Sequence, residues 1–101
     1  MQKTVLNEVF ELLRQIDVVN SESEFSIDWL GRSECYLRTI RYKETEPSIG
    51  AMAICASKLQ HHGKRMLQTK AHKKLGERFL SLSDKCHEQI NSRSKLAWLC
   101  Q

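Results

Sequence analysis

Four cysteines and four histidines are the side chains of this 101-residue chain best suited to hold a metal or act as nucleophiles. Their spacing argues against both roles. Cys35, Cys55, Cys86 and Cys100 are scattered, with no C-x-x-C pair. The only Cys–His neighbours, Cys86 and His87, are adjacent on a helix and point in different directions. His61 and His62 read as exposed residues near a helix end. There is no glycine-rich phosphate loop, no metal quartet and no nucleophile elbow, and no Cys or His has an identifiable orienting partner. The residues therefore predict no enzyme, no cofactor and no metal site. The cysteines are expected to be free thiols in a reducing compartment.

The remaining chemistry is charge, and it is unevenly spread. Residues 1–31 hold Lys3 and Arg14 against Glu8, Glu11, Asp17, Glu22, Glu24 and Asp28, a net charge of −4. Residues 57–78 hold Lys58, Lys64, Arg65, Lys70, Lys73, Lys74 and Arg78 against Glu77, a net charge of +6. Such a basic segment attracts phosphate or an acidic partner, or is a solvated helix face. The 41% apolar and 28% charged composition is that of a soluble globular domain. No apolar run is long enough to span a membrane, and Glu8 and Glu11 interrupt the N-terminal apolar stretch where a secretory leader would not. A cytoplasmic protein is expected.

The elements that position these charges read as helices. One proline and four glycines are too few to punctuate a many-stranded β fold. Val5, Val9, Leu12 and Ile16 form an apolar stripe on a first helix from about Thr4 to Ile16. Ser21 and Glu24 match a capping box, opening a short second helix that buries Phe25, Trp29 and Leu30 and stops at Gly31. Ser33 is the expected cap of a third helix with Tyr36, Leu37 and Ile40 inward. Residues 43–47 form a loop ending in Pro47, after which Ser48 caps a fourth helix. Ile49, Met52, Cys55, Ala56 and Leu59 line its inner face, and Gly63 is its expected end.

A long last helix carries Leu67, Ala71, Leu75, Phe79, Leu82, Cys86 and Ile90 on one stripe. From Gln68 to Asn91 it would reach about 36 Å, more than a four-helix core covers. Leu75, Phe79, Leu82, Cys86 and Ile90 are therefore assigned to a dimer interface, with folding back onto the chain's own core as the alternative. The tail Leu96, Ala97, Trp98 and Leu99 is apolar. Residues 1–63 read as the core, and 64–101 as a dimerisation element.

One string of positions carries a family signature. Gly31 is followed by Ser33, Leu37 and Ile40, then by Pro47-Ser48, Met52, Cys55, Ala56 and Leu59. Over residues 31–59 this spacing resembles the Cro/repressor-type helix-turn-helix family (lambda repressor-like, XRE-like). The resemblance implies an all-α, compact four-to-five-helix lambda-repressor-like domain, here with a long C-terminal helix. By register, Ser23 and Ile27 stand where the family usually has Gln and Ala, and Lys43 where glycine is common.

The resemblance implies a bacterial or mobile-element DNA-binding transcriptional regulator, a nucleoid-associated homodimer on double-stranded DNA. Base contacts would come from Glu34, Cys35 and Arg38, with Ser23 nearby and Thr39 at the edge. Arg38 would donate to guanine and Glu34 accept from cytosine. Arg32, Arg41 and Lys43 would hold phosphates, with Ser33 in the turn. Against this, Glu22, Glu24 and Asp28 put carboxylates where the second helix would approach a phosphate. Residues 32–46 hold four basic and three acidic side chains, a nearly neutral face. The alternative expectation is a protein-interaction module, an anti-activator or adaptor that binds another regulator.

Overall fold

The structure, a computed structural model, describes residues 4–100. Lys3 and the outermost ends of the 1–63 and 64–101 segments lie outside the described residues. The elements are α1 (Val5–Gln15), α2 (Glu22–Asp28), α3 (Tyr36–Tyr42), α4 (Ile49–Met66), a 3₁₀ turn (Lys70–His72) and α5 (Lys73–Leu99). No strand occurs among the described residues. The protein is all-α with a long C-terminal helix. It divides into two units, Met1–Ile54 and Cys55–Gln101, with the boundary inside α4.

In the first unit, Thr4 Oγ1 accepts from the Asn7 N–H at 3.2 Å and starts α1. Val5, Leu6, Val9, Phe10 and Leu13 are buried, while Leu12 and Ile16, expected inside, are only half-buried. Asp17 ends the helix with φ 61°. Ser21 Oγ accepts from the Glu24 N–H at 3.1 Å, as the capping box predicts. Glu24 returns the bond to the Asn20 N–H at 3.4 Å, one residue earlier than expected. Phe25 is wholly buried, its ring centroid 5.5 Å from that of Phe10. Burying a side chain of this size stabilises by about 1.5–3 kcal/mol.

Gly31 takes the left-handed conformation at φ 64°, and a Cβ there would stand 2.9 Å from Ile54 Cδ1. Ser33 does not cap α3. Its carbonyl accepts from the Tyr36 N–H at 3.1 Å in a turn, so the helix begins at Tyr36 with Cys35 as an N-cap that makes no side-chain bond. Leu37 is buried, whereas Tyr36 and Ile40 are half-buried. Lys43 caps the end of α3, and Glu44, not Lys43, adopts the positive φ of 54° that the glycine position suggested. Ser48 Oγ accepts from the Ala51 N–H at 3.1 Å and opens α4 as expected. Ile49 is exposed instead of inward, and Ala51 and Met52 take the buried positions.

In the second unit, α4 buries Cys55, Ala56, Leu59 and Gly63. Gly63 does not end the helix, which continues to Met66. Its function is close approach. A Cβ on Gly63 would meet the Leu80 side chain at 3.0 Å, and one on Gly76 would stand 2.8 Å from the Gly63 carbonyl oxygen. Ser83 Oγ donates to the Ala56 carbonyl at 2.8 Å, satisfying a buried hydroxyl across the same helix pair.

The stripe assigned to a dimer is in large part buried within the chain. Phe79, Leu82 and Cys86 are buried within their own chain, and Leu75 and Ile90 are half-buried. These side chains supply the protomer's own core, the alternative that the periodicity left open. All four cysteines are free, with Cys55 and Cys86 buried and Cys35 and Cys100 exposed. A hydrogen bond with Cys86 and burial push the Cys55 thiol up, which keeps it protonated and inert. Beyond Cys86, α5 is largely exposed, and Leu96, Trp98 and Leu99 are each more than half exposed.

Candidate nucleic-acid interface

The segment from α2 through Gly31 to α3 is organised by Ser26. This residue is fully buried. Its carbonyl accepts from the Arg32 N–H at 3.0 Å, closing the turn. Its hydroxyl oxygen accepts from the Leu37 N–H at 3.1 Å, tying the first turn of α3 to α2. A helix of seven residues has too few internal bonds to be stable alone. It depends on such anchors and on Leu37. Ile27, placed by register at the helix–helix contact, is 51% exposed, and Ser26 occupies the contact instead.

The outward face of α3 carries Cys35, Arg38, Thr39 and Tyr42, spaced at i, i+3, i+4 and i+7, all exposed. Arg38 lies along this stripe, its Nη2 donating to Cys35 Sγ at 3.4 Å. Tyr42 is 89% exposed and was not among the expected site residues. Its place seven residues after Cys35 on the same face is the signal that could have found it. Ser33, Glu34 and Lys43 are also exposed, and Ser23 is half-buried on α2.

Two of the expected phosphate ligands are engaged internally. Arg32 donates to the Gly31 carbonyl at 3.1 Å and to Ser48 Oγ at 3.2 Å, with its guanidinium 6.0 Å from the Tyr36 ring centroid. Tyr36 Oη completes this cluster by accepting from the Ser48 N–H at 2.8 Å. Arg41 forms an ion pair with Glu22. That pair shields one of the acids that would oppose a phosphate and withdraws one of the cations that would attract it. The α3 face therefore offers Arg38 as its central donor, flanked by two hydrogen-bonding hydroxyls and a thiol. Such a set can donate to and accept from base edges.

Among the described residues no group of three or more His, Cys, Asp or Glu side chains is placed to hold a metal ion. Among the described residues no helix is long and apolar enough to cross a membrane.

An all-helical chain presenting a short exposed helix from a glycine turn is the class that these features define. The chain belongs to DUF6626, a family of unknown function, which it matches over residues 6–99, a span reaching from α1 to the end of α5. No curated protein matches the chain, and no solved structure does.

Proposed function

We propose that this protein is a sequence-specific DNA-binding transcriptional regulator that presents α3 to the major groove, acts without catalysis in the cytoplasm, and works as a homodimer. The observation that carries the reading is the Cys35, Arg38, Thr39 and Tyr42 stripe, exposed on a helix anchored on its other side by Leu37 and the Ser26 bond. A helix held from behind and open in front is what groove entry requires. In a dimer, two copies of α3 would address half-sites about 34 Å apart. With Phe79, Leu82 and Cys86 taken up by the core, the exposed Leu96, Trp98 and Leu99 at the end of α5 offer an apolar surface to a second copy.

The test is fluorescence anisotropy on genomic fragments, including the protein's own promoter. Selective binding is expected, with Arg38→Ala weakening it by about 1–3 kcal/mol and relaxing selectivity at one base position. Unchanged selectivity in Arg38→Ala would remove α3 from the reading face.

A second reading, a module that binds another regulator, is favoured by one feature of α2. Ile27 is exposed beside the exposed Asp28, an apolar and acidic pair suited to a protein surface. Ile27→Lys distinguishes the two readings, because it would abolish binding to a protein partner and leave DNA selectivity intact.

A further inference from the structure

The strongest concentration of charge in the chain belongs to the second unit. We infer that the tip joining α4 to α5 is a separate binding surface for the phosphodiester backbone of duplex nucleic acid, independent of base sequence. Lys64 and Arg65 lie in the last turn of α4, and Lys70, Lys73, Lys74 and Arg78 lie in the 3₁₀ turn and the first turns of α5. All six are exposed, and none is held in an ion pair among the described residues. Glu77 is the sole carboxylate between residues 57 and 78. The Gly63–Gly76 crossing brings the two helices to near backbone contact here, so cations of both are gathered at one end of the pair.

Folding accounts for only part of this arrangement: Lys64 and Arg65 complement the negative end of the α4 dipole, but the cations at the start of α5 have no such match. The N-terminus of a helix carries the positive end of its dipole and favours acids over bases. Here the first turn of α5 contains no acid, and its N-cap, His72, makes no side-chain bond. Lys74 and Arg78 are a like-charged pair at i, i+4 and repel, with Glu77, four residues after Lys73, as the one offset. His62 feels this field: it sits below its ordinary value through burial first, then through the charge of His61, Lys58 and Arg65. A local electrostatic cost kept by the sequence is the mark of a functional surface, and an external polyanion would relieve it.

The chemistry of the tip selects among polyanions. No Phe, Tyr or Trp occurs in residues 57–78, so there is no platform on which unpaired bases could stack. Of its apolar side chains, Met66 and Leu75 are half-buried and Leu67 is 37% exposed, too little to enter a lipid interface. A duplex needs neither. It offers one negative charge per about 1.7 Å of axis, and residues 70–78 extend over about 12 Å at helical rise.

The experiment uses the full chain and a fluorescent random-sequence 30-base-pair duplex over a salt series, comparing the parent with Lys70→Gln/Lys73→Gln/Lys74→Gln. Glutamine keeps helix propensity, so the variant is expected to melt at the parent's temperature or above. The salt slope of log K should fall by about 2.7, and affinity at about 0.1 M salt by more than tenfold. Lys95→Gln, an exposed cation elsewhere on α5, should leave random-sequence binding unchanged, while Arg38→Ala is read on selectivity among genomic fragments, so failure of the tip and failure of the α3 reading are separable. An unchanged slope in the triple variant overturns the inference. So does tighter binding to single strands, or capture by phosphatidylserine vesicles in preference to duplex.

Discussion

Replacing Gly76 with alanine sets two known effects against each other. In a helix interior, Gly→Ala ordinarily stabilises by about 1 kcal/mol, because glycine loses more backbone entropy on folding. At Gly76 the new Cβ would stand 2.8 Å from the Gly63 carbonyl oxygen, 2.9 Å from Met66 Cβ and 3.1 Å from the Leu67 nitrogen. All three are backbone or backbone-proximal atoms that cannot swing aside, so α4 and α5 must separate locally. Overpacking of this kind costs about 1–3 kcal/mol, and separation also loosens the Ser83 bond to Ala56 and the packing of Leu80 on Gly63. The strain and the lost contacts outweigh the propensity gain, leaving a net loss of about 1–2 kcal/mol, or roughly 5–15 °C in Tm for a chain of this size. Gly50→Ala is the control. The Cβ added there meets only the Arg32 guanidinium at 2.8 Å, the far end of a flexible side chain, so that variant should be neutral or slightly more stable. Thermal and urea unfolding followed by circular dichroism read both. A Gly76→Ala protein as stable as the parent would refute the close crossing of α4 and α5.

Two further perturbations probe other parts of the structure. Ser26→Ala leaves the buried Leu37 N–H without its acceptor and should destabilise by about 1–3 kcal/mol. It should also loosen α3, seen as faster amide exchange over residues 36–42, and unchanged exchange there would mean the hydroxyl does not hold the helix. Acid should destabilise the fold through His62. Its folded pKa lies below 6.5, so the unfolded chain binds the proton more tightly. This contribution to stability is complete above the unfolded value and is lost as pH falls from there to the folded pKa. Tm should be lower at about pH 5.5 than at pH 7.5, and His62→Gln should reduce that difference; an identical difference would assign the acid sensitivity elsewhere.

Much of the helical layout was legible because its signals are local. Thr4 precedes an apolar stripe, Ser21 stands three residues before Glu24, and Gly31 and Pro47-Ser48 punctuate the chain, and each marks the boundary it should. The misreadings arise where one residue type serves two purposes. Gly63 looks like a helix end, but its missing side chain serves a crossing with a residue 13 positions later in sequence, which no local pattern reveals. Ser33 has the chemistry of a cap, yet its carbonyl closes a turn and delays α3 to Tyr36. The stripe of Phe79, Leu82 and Cys86 has the right period for either a dimer seam or a core, and periodicity alone cannot say which surface covers it. At the candidate site, sequence expected Arg38 on the open face of the third helix, where it is exposed, but could not foresee that Arg32 turns to Ser48 or that Arg41 pairs with Glu22.

These engagements change the weight of the charges. The acids of α2 first argued against DNA, since carboxylates near a phosphate cost free energy. In the structure each of two has a local reason to be there. Glu24 accepts from the Asn20 N–H, Glu22 pairs with Arg41, and both complement the dipole at the start of their helix. The cations at the start of α5 have less reason: the dipole disfavours them, Lys74 and Arg78 repel at i, i+4, and the N-cap makes no side-chain bond, with Glu77, four residues after Lys73, as the one nearby offset. Acid explained by folding says little about partners, whereas basic charge that folding disfavours says a good deal. The balance therefore moves toward a nucleic-acid partner. It does so through the tip of the α4–α5 pair; on the proposed reading, Arg38 of α3 would discriminate among sequences that the tip would hold indifferently.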